Sequence, residues 1–233
     1  MKAVLFDLDG TLLPMDQEVF VKDYLGRMAA FLAPHGYDPE KLIQAVWKGT
    51  GAMVKNYGKA RNEDVFWQVF NDMMEKDARQ DSALFEEFYR GDFQKARQSC
   101  GFQPAAASAV REIREMGYQV ILATNPLFPA VATQSRIRWA GLMPEDFERI
   151  TTYENARFCK PNPDYYQEIL GKLNLNPSDC LMVGNDVDED MIAETLGMKV
   201  FLLTDCLINR NGKNISRYPS GGFTELLQYV RSL

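Results

Sequence analysis

The chain has 233 residues, 46% hydrophobic and 25% charged. These are the proportions of a globular protein built as one domain, or one domain carrying an insertion, and they exclude a disordered, fibrous or low-complexity chain. A net charge of -6 with no run of Lys and Arg gives no bulk electrostatic grip on nucleic acid or on an anionic membrane, so an anionic ligand needs positive charge built locally.

The first residues lead directly into a short apolar run followed by acids, which is not the pattern of a secretory leader. No segment reaches the roughly 18 apolar residues of a membrane helix. Cys100, Cys159, Cys180 and Cys206 are scattered without a CxxC pair, so they read as reduced thiols of a cytoplasmic protein. Without secretion, the sequon Asn214-Ile215-Ser216 has no consequence.

Residues 3–6 are apolar, β-branched or aromatic, and read as a buried strand that ends in Asp7-Leu8-Asp9-Gly10-Thr11. From residue 15 to 103 no strand is expected, only helical spacing over 19–32, 40–47, 63–74 and 84–96. A crossover helix needs a dozen or so residues, so the interval predicts a helical subdomain, 15–103, inserted into a core made of 1–14 and 104–233. Phe66, Trp67 and Phe70 read as the core of one of its helices rather than as a pocket wall. Beyond it, helices over 105–116, 128–139, 163–173 and 191–196 alternate with strands over 120–123, 181–183 and 200–203, with Gly117 and Gly197 as helix stops. The fold class is therefore α/β, a Rossmann-like parallel sheet. Helices cover both its faces, since the strands are continuously apolar rather than alternating.

In such sheets ligands bind beyond the carboxyl ends of the strands. Asp7 and Asp9 follow the first strand, Thr124 and Asn125 the second, and Gly184-Asn185-Asp186-Val187-Asp188-Glu189-Asp190 the third, with Lys160-Pro161 just before it. Carboxylates, a hydroxyl, an amide and one ammonium would thus surround one crevice. The alternating acids 186, 188 and 190 are not a calcium loop, because Met191 stands where its glycine belongs and Gly197 where its bidentate glutamate belongs.

The ordered set Asp-Leu-Asp-Gly-Thr, Thr124-Asn125, Lys160-Pro161-Asn162-Pro163 and the acidic loop ending at Asp190 resembles the haloacid dehalogenase-like hydrolase superfamily, in its branch with a helical cap after the first strand. The resemblance implies magnesium held by Asp7, the carbonyl of Asp9, and Asp186, with Asp190 ordering the loop or a metal-bound water. Asn185 stands where that pattern usually has glycine, and a longer spacing would put it, not Asp186, at the acidic position. Chemically, Asp7 is a candidate nucleophile that forms an acyl phosphate, and Asp9 a general acid and then base. Lys160 is a fixed charge for the nucleophile and transition state. Thr124 and Asn125 contact phosphoryl oxygens or substrate, and Thr11 reaches the acidic loop. Attack on carbon, as in the dehalogenases, needs neither the metal nor Asp9, so Asp9 favours phosphate esters.

The expectation is a magnesium-dependent phosphatase for a small phosphorylated metabolite, acting as a monomer or homodimer with neither nucleic acid nor membrane as partner. Its rivals are a phosphomutase of the same superfamily, resembling β-phosphoglucomutase, and a phosphoacceptor signalling domain, whose acceptor would end the third strand. His35 is the only histidine and lies in the insertion, against a histidine-based triad.

Overall fold

In the computed structural model, which describes residues 1–233, the apolar runs form strands because both of their faces are covered. The strands are β1 (Ala3–Phe6), β2 (Gln119–Leu122), β3 (Arg149–Ile150), β4 (Cys180–Gly184), β5 (Lys199–Leu203) and β6 (Ser220–Gly221). All pair in parallel, in the order β3-β2-β1-β4-β5-β6. Val4, Phe6, Val120, Leu122, Leu181 and Val183 point into one apolar cluster, whereas Ala3, Leu5, Ile121, Cys180 and Met182 point into another on the opposite face. The period of two is thus present but hidden from the sequence, since both sets of positions are apolar. The edge strands β3 and β6 were not expected, being two residues long and without an apolar run.

The helices are α1 (Gln17–Leu32), α2 (Pro39–Val54), α3 (Asn62–Met74), α4 (Ser82–Arg90), α5 (Pro104–Glu115), α6 (Ala130–Trp139), α7 (Pro163–Leu173) and α8 (Phe223–Arg231). Caps account for several boundaries. Asp16 accepts from the backbone N–H groups of Glu18 and Val19, and Asp38 and Asn162 cap α2 and α7, each followed by Pro at the first helical position. Against the sequence pattern, α2 runs on to Val54, and the stretch expected over 84–96 is broken at Gly91 into α4 and a 3-10 helix, Asp92–Ser99. Residues 191–196 likewise form a 3-10 helix.

The interval after β1 contains α1 to α4 and no strand. Its two ends meet: Met15 and Cys100 form an antiparallel bridge, and the Gly101 N–H donates to the Pro14 carbonyl at 2.7 Å. No helix is long and apolar enough to cross a membrane. The strand order reverses direction between β1 and β4, which is the topological switch point of a doubly wound sheet. A phosphoacceptor domain has the order 2-1-3-4-5, and this sheet does not.

All four cysteines are free thiols. Burial pushes the Cys159 thiol up to about 12 and that of Cys180 up to about 11. Since the thiolate is the reactive species, the native chain at pH 8 is expected to label at the half-buried Cys206 and not at Cys159 or Cys180. All four should label in urea, as read by mass spectrometry after treatment with a thiol reagent.

Candidate active site

The end of β1 is extended by one more ladder bond, Asp7 N–H to Val183 carbonyl at 3.0 Å, which sets Asp7 beside the end of β4. Lys160, 1% exposed, lies between two carboxylates: its Nζ is 2.9 Å from Asp7 Oδ1 and 2.7 Å from Asp190 Oδ1. Burial pulls the ammonium's pKa down, but Asp190 and Asp7 outweigh it and hold it well above the ordinary lysine value. The lysine therefore stays charged. Its own N–H donates to Asn125 Oδ1 at 3.3 Å, while Asn125 Nδ2 donates to Glu189 Oε2 at 3.1 Å. One amide thus ties the β2 loop to both the lysine and the acidic loop.

Asp190 is fully engaged. Its second oxygen accepts from the Asp186 N–H at 2.9 Å, an approach open only because residue 184 is glycine; a Cβ there would lie 2.1 Å from Asp190 Oδ2. Asp186 accepts on Oδ1 from the N–H groups of Asp188 and Glu189, and on Oδ2 from Arg210 at 2.9 Å. The Thr11 hydroxyl lies 3.1 Å from Asp7 Oδ2 and 2.8 Å from Asn185 Oδ1, its single proton serving either acceptor. Asn185 in turn donates to the Cys206 carbonyl at 2.7 Å. Gly10 is doubly required: its φ is +86°, and a Cβ would come within 2.4 Å of Asn185 Nδ2. Thr124 is buried, and its carbonyl accepts from Thr151 Oγ1 at 2.6 Å and from the Tyr165 hydroxyl at 2.8 Å.

Asp188 pairs with Lys213 and accepts from Asn211, fastening the acidic loop to the loop after β5. Alternation of acids in sequence gives no sign of that partner.

Asp9 turns toward α6 and pairs with Arg136, a fully buried guanidinium whose Cζ stands 4.1 Å from the centre of the Phe128 ring. Burial raises the Asp9 carboxyl above the usual carboxylate range, with the Arg136 charge opposing it. Asp9 Oδ1 and Arg136 Nε are both buried without a partner. Arg136 was missed in the sequence. The signal was an arginine on the apolar stripe of α6 between Ala132 and Ala140, both buried, where a charge needs a buried counterion.

No three acidic, thiol or imidazole side chains converge into a metal cage. The carboxylates of Asp7 and Asp186 follow the adjacent strands β1 and β4 and offer only hard oxygen donors. That set fits magnesium, which takes one or two carboxylates and leaves its other positions to water and phosphate oxygens.

A family model for haloacid dehalogenase-like hydrolases matches residues 1–193. The chain belongs to that family, and is thereby a hydrolase. Among curated proteins it is 23% identical to the putative phosphatase YhcW of Bacillus subtilis (strain 168), covering 87% of this chain and 83% of that one. It is 24% identical to a phosphoglycolate phosphatase of Vibrio vulnificus, covering 88% and 84%. Among solved structures, a 2-haloacid dehalogenase of Pseudomonas syringae superposes with a TM-score of 0.62 at 20% identity over 100% and 99% of the two chains. The HAD-hydrolase YfnB of Bacillus subtilis, bound to magnesium, superposes with a TM-score of 0.56 at 15% identity over 98% of each. These likenesses establish the fold.

Removing one member of a buried ion pair strands the other. Arg136→Met is therefore expected to destabilise the chain by about 3–5 kcal/mol, measured by urea unfolding, and Asp9→Leu in the same background should recover part of the loss.

Proposed function

We propose that the chain is a magnesium-dependent phosphatase working through an aspartyl-phosphate on Asp7. The observation that carries this reading is the buried Asp7–Lys160–Asp190 group with a second carboxyl, Asp9, two residues on and held protonatable by burial. In the first displacement an Asp7 oxygen attacks phosphorus and the ester P–O bond breaks, while Asp9 gives its proton to the departing alkoxide. In the second, Asp9 takes a proton from water, the water oxygen attacks phosphorus, and the Asp7 carboxylate leaves, releasing phosphate. Lys160 offsets charge on Asp7 and on the phosphoryl oxygens throughout. Thr124 and Asn125 sit at the end of β2, where phosphoryl oxygens would be met.

Magnesium, held by Asp7, Asp186 and the Asp9 carbonyl, would neutralise the phosphate so that an anionic nucleophile can approach. Asp190 orders the turn of the acidic loop, whereas Arg210, from the loop after β5 and 59% exposed on its side chain, pairs with Asp186 Oδ2 and would compete with the metal for that oxygen. Residues 15–103 act as a cap that excludes water during the reaction. A cytoplasmic, reducing setting completes the reading.

Two measurements test it. Asp7→Asn should lower magnesium-dependent phosphate release by more than about a thousandfold; near-wild-type release would rule out the nucleophile, and isomer formation without phosphate release by the unsubstituted chain would point to a mutase. Arg210→Ala should tighten magnesium binding by up to about fivefold, the worth of one surface ion pair, as read by calorimetry on the substrate-free chain. Weaker binding would remove Asp186 from the ligand set.

A further inference from the structure

The inserted helices and the core enclose a cavity of about 600 Å³ that none of Asp7, Asp9, Lys160 or Asp186 lines. Its volume is that of a site for a compact organic ligand. The core side of its wall runs from Leu127 to Val131, the direct continuation of the Thr124-Asn125 loop. Phe128 belongs to that wall and also carries Arg136 on its ring, and Arg136 is paired with Asp9. Phe128 and Arg136 therefore connect the wall of the cavity, by contact, to the carboxyl assigned to protonate the leaving group.

The lining is aromatic and poor in available cations. Eight of the residues around it are aromatic, Phe66, Trp67 and Phe128 among them. Of the two arginines, Arg79 is already paired with Glu63 at 3.0 Å and Asp64 at 3.1 Å, and Arg90 with Glu86 at 2.5 Å. The remaining charged residue is Glu154, which accepts from the Ala130 N–H at 2.8 Å and has no cationic partner; its other oxygen is buried and unpartnered. A second anion placed here would meet no free positive charge and one carboxylate without a cationic partner. An aromatic ring would meet edges and faces of its own kind.

Resting on the phosphatase reading, we infer that the substrate is a phosphate monoester whose alcohol carries an aromatic ring and no second anionic group, the ring lodging in this cavity. Phosphoglycolate, whose alcohol bears a carboxylate, is then a poor substrate.

The test compares kcat/KM of the magnesium-loaded full chain for 2-phenylethyl phosphate, ethyl phosphate and phosphoglycolate. All three have alkyl alcohols as leaving groups, so an aryl ester's intrinsically faster departure does not enter. The aromatic ester should exceed each of the others by about tenfold or more. Thr50→Phe, which fills the cavity from α2, should bring its ratio to ethyl phosphate down by about the same factor. In a parallel measurement without turnover, 2-phenylethanol should change the fluorescence of Trp47 and Trp67, and do so less in Thr50→Phe. Equal rates for the three esters, or a preference for phosphoglycolate, overturn the substrate class and leave the phosphatase reading standing. Hydrolysis of none of them removes the phosphatase reading and this substrate class together. A fluorescence signal that the alcohol leaves unmoved overturns the cavity as the ring's place whatever the rates.

Discussion

One buried ammonium organises the site. The ends of β1 and β4 bring several carboxylates to one crevice, and two like charges about 4 Å apart repel by about 4 kcal/mol at an effective dielectric constant near 20. Lys160, itself excluded from water, answers two of them at once and is fixed through its backbone by Asn125. Its own charge could not be kept in that environment without those acids. Each member is therefore the reason the others are tolerated, although the three lie far apart along the chain.

A second buried pair, Arg136 with Asp9, carries the same logic to the other side of the crevice and links it to packing. Arg136 sits on α6, whose Ala132 and Ile137 join the larger apolar cluster. That cluster takes in residues from α1 to α4 together with one face of the sheet, whereas the opposite face is closed by a smaller one, in which α7 contributes Tyr165, Tyr166, Ile169 and Leu170. The inserted helices thus extend the core on one side only. The aromatic network through Phe20, Tyr24, Phe93 and Phe128 runs from α1 directly to the loop that follows β2.

Much of this was legible in the sequence because it is local. Four strands, the strandless interval after β1 and the positions of Asp7, Asp9, Thr124, Asn125 and Asp186 follow from apolar runs and the residues that end them, and Lys160 from the segment leading into β4. What escaped is what depends on distant partners. The edge strands β3 and β6 exist only through pairing with a neighbour; Arg136 and Arg210 gain meaning from acids 127 and 24 positions away. Phe66 and Trp67 show the limit of periodicity most directly. Helical spacing correctly implies packing, for Trp67 and Phe70 join the core, yet the same spacing does not reveal that Phe66 and Trp67 also face an open space.

The clasp at Pro14–Gly101 and Met15–Cys100 means that the polypeptide departs from the sheet and returns to it through a single doorway. The turns of the inserted segment can therefore change in length without moving the points where it leaves and rejoins the sheet, because those ends already lie within hydrogen-bond reach, whereas α1 to α4 stay tied to the strands through the shared apolar cluster. Such a layout separates two kinds of evolutionary change: substitutions beyond the doorway reshape the aromatic cavity, while Asp7 and the acidic loop remain anchored at the ends of β1 and β4.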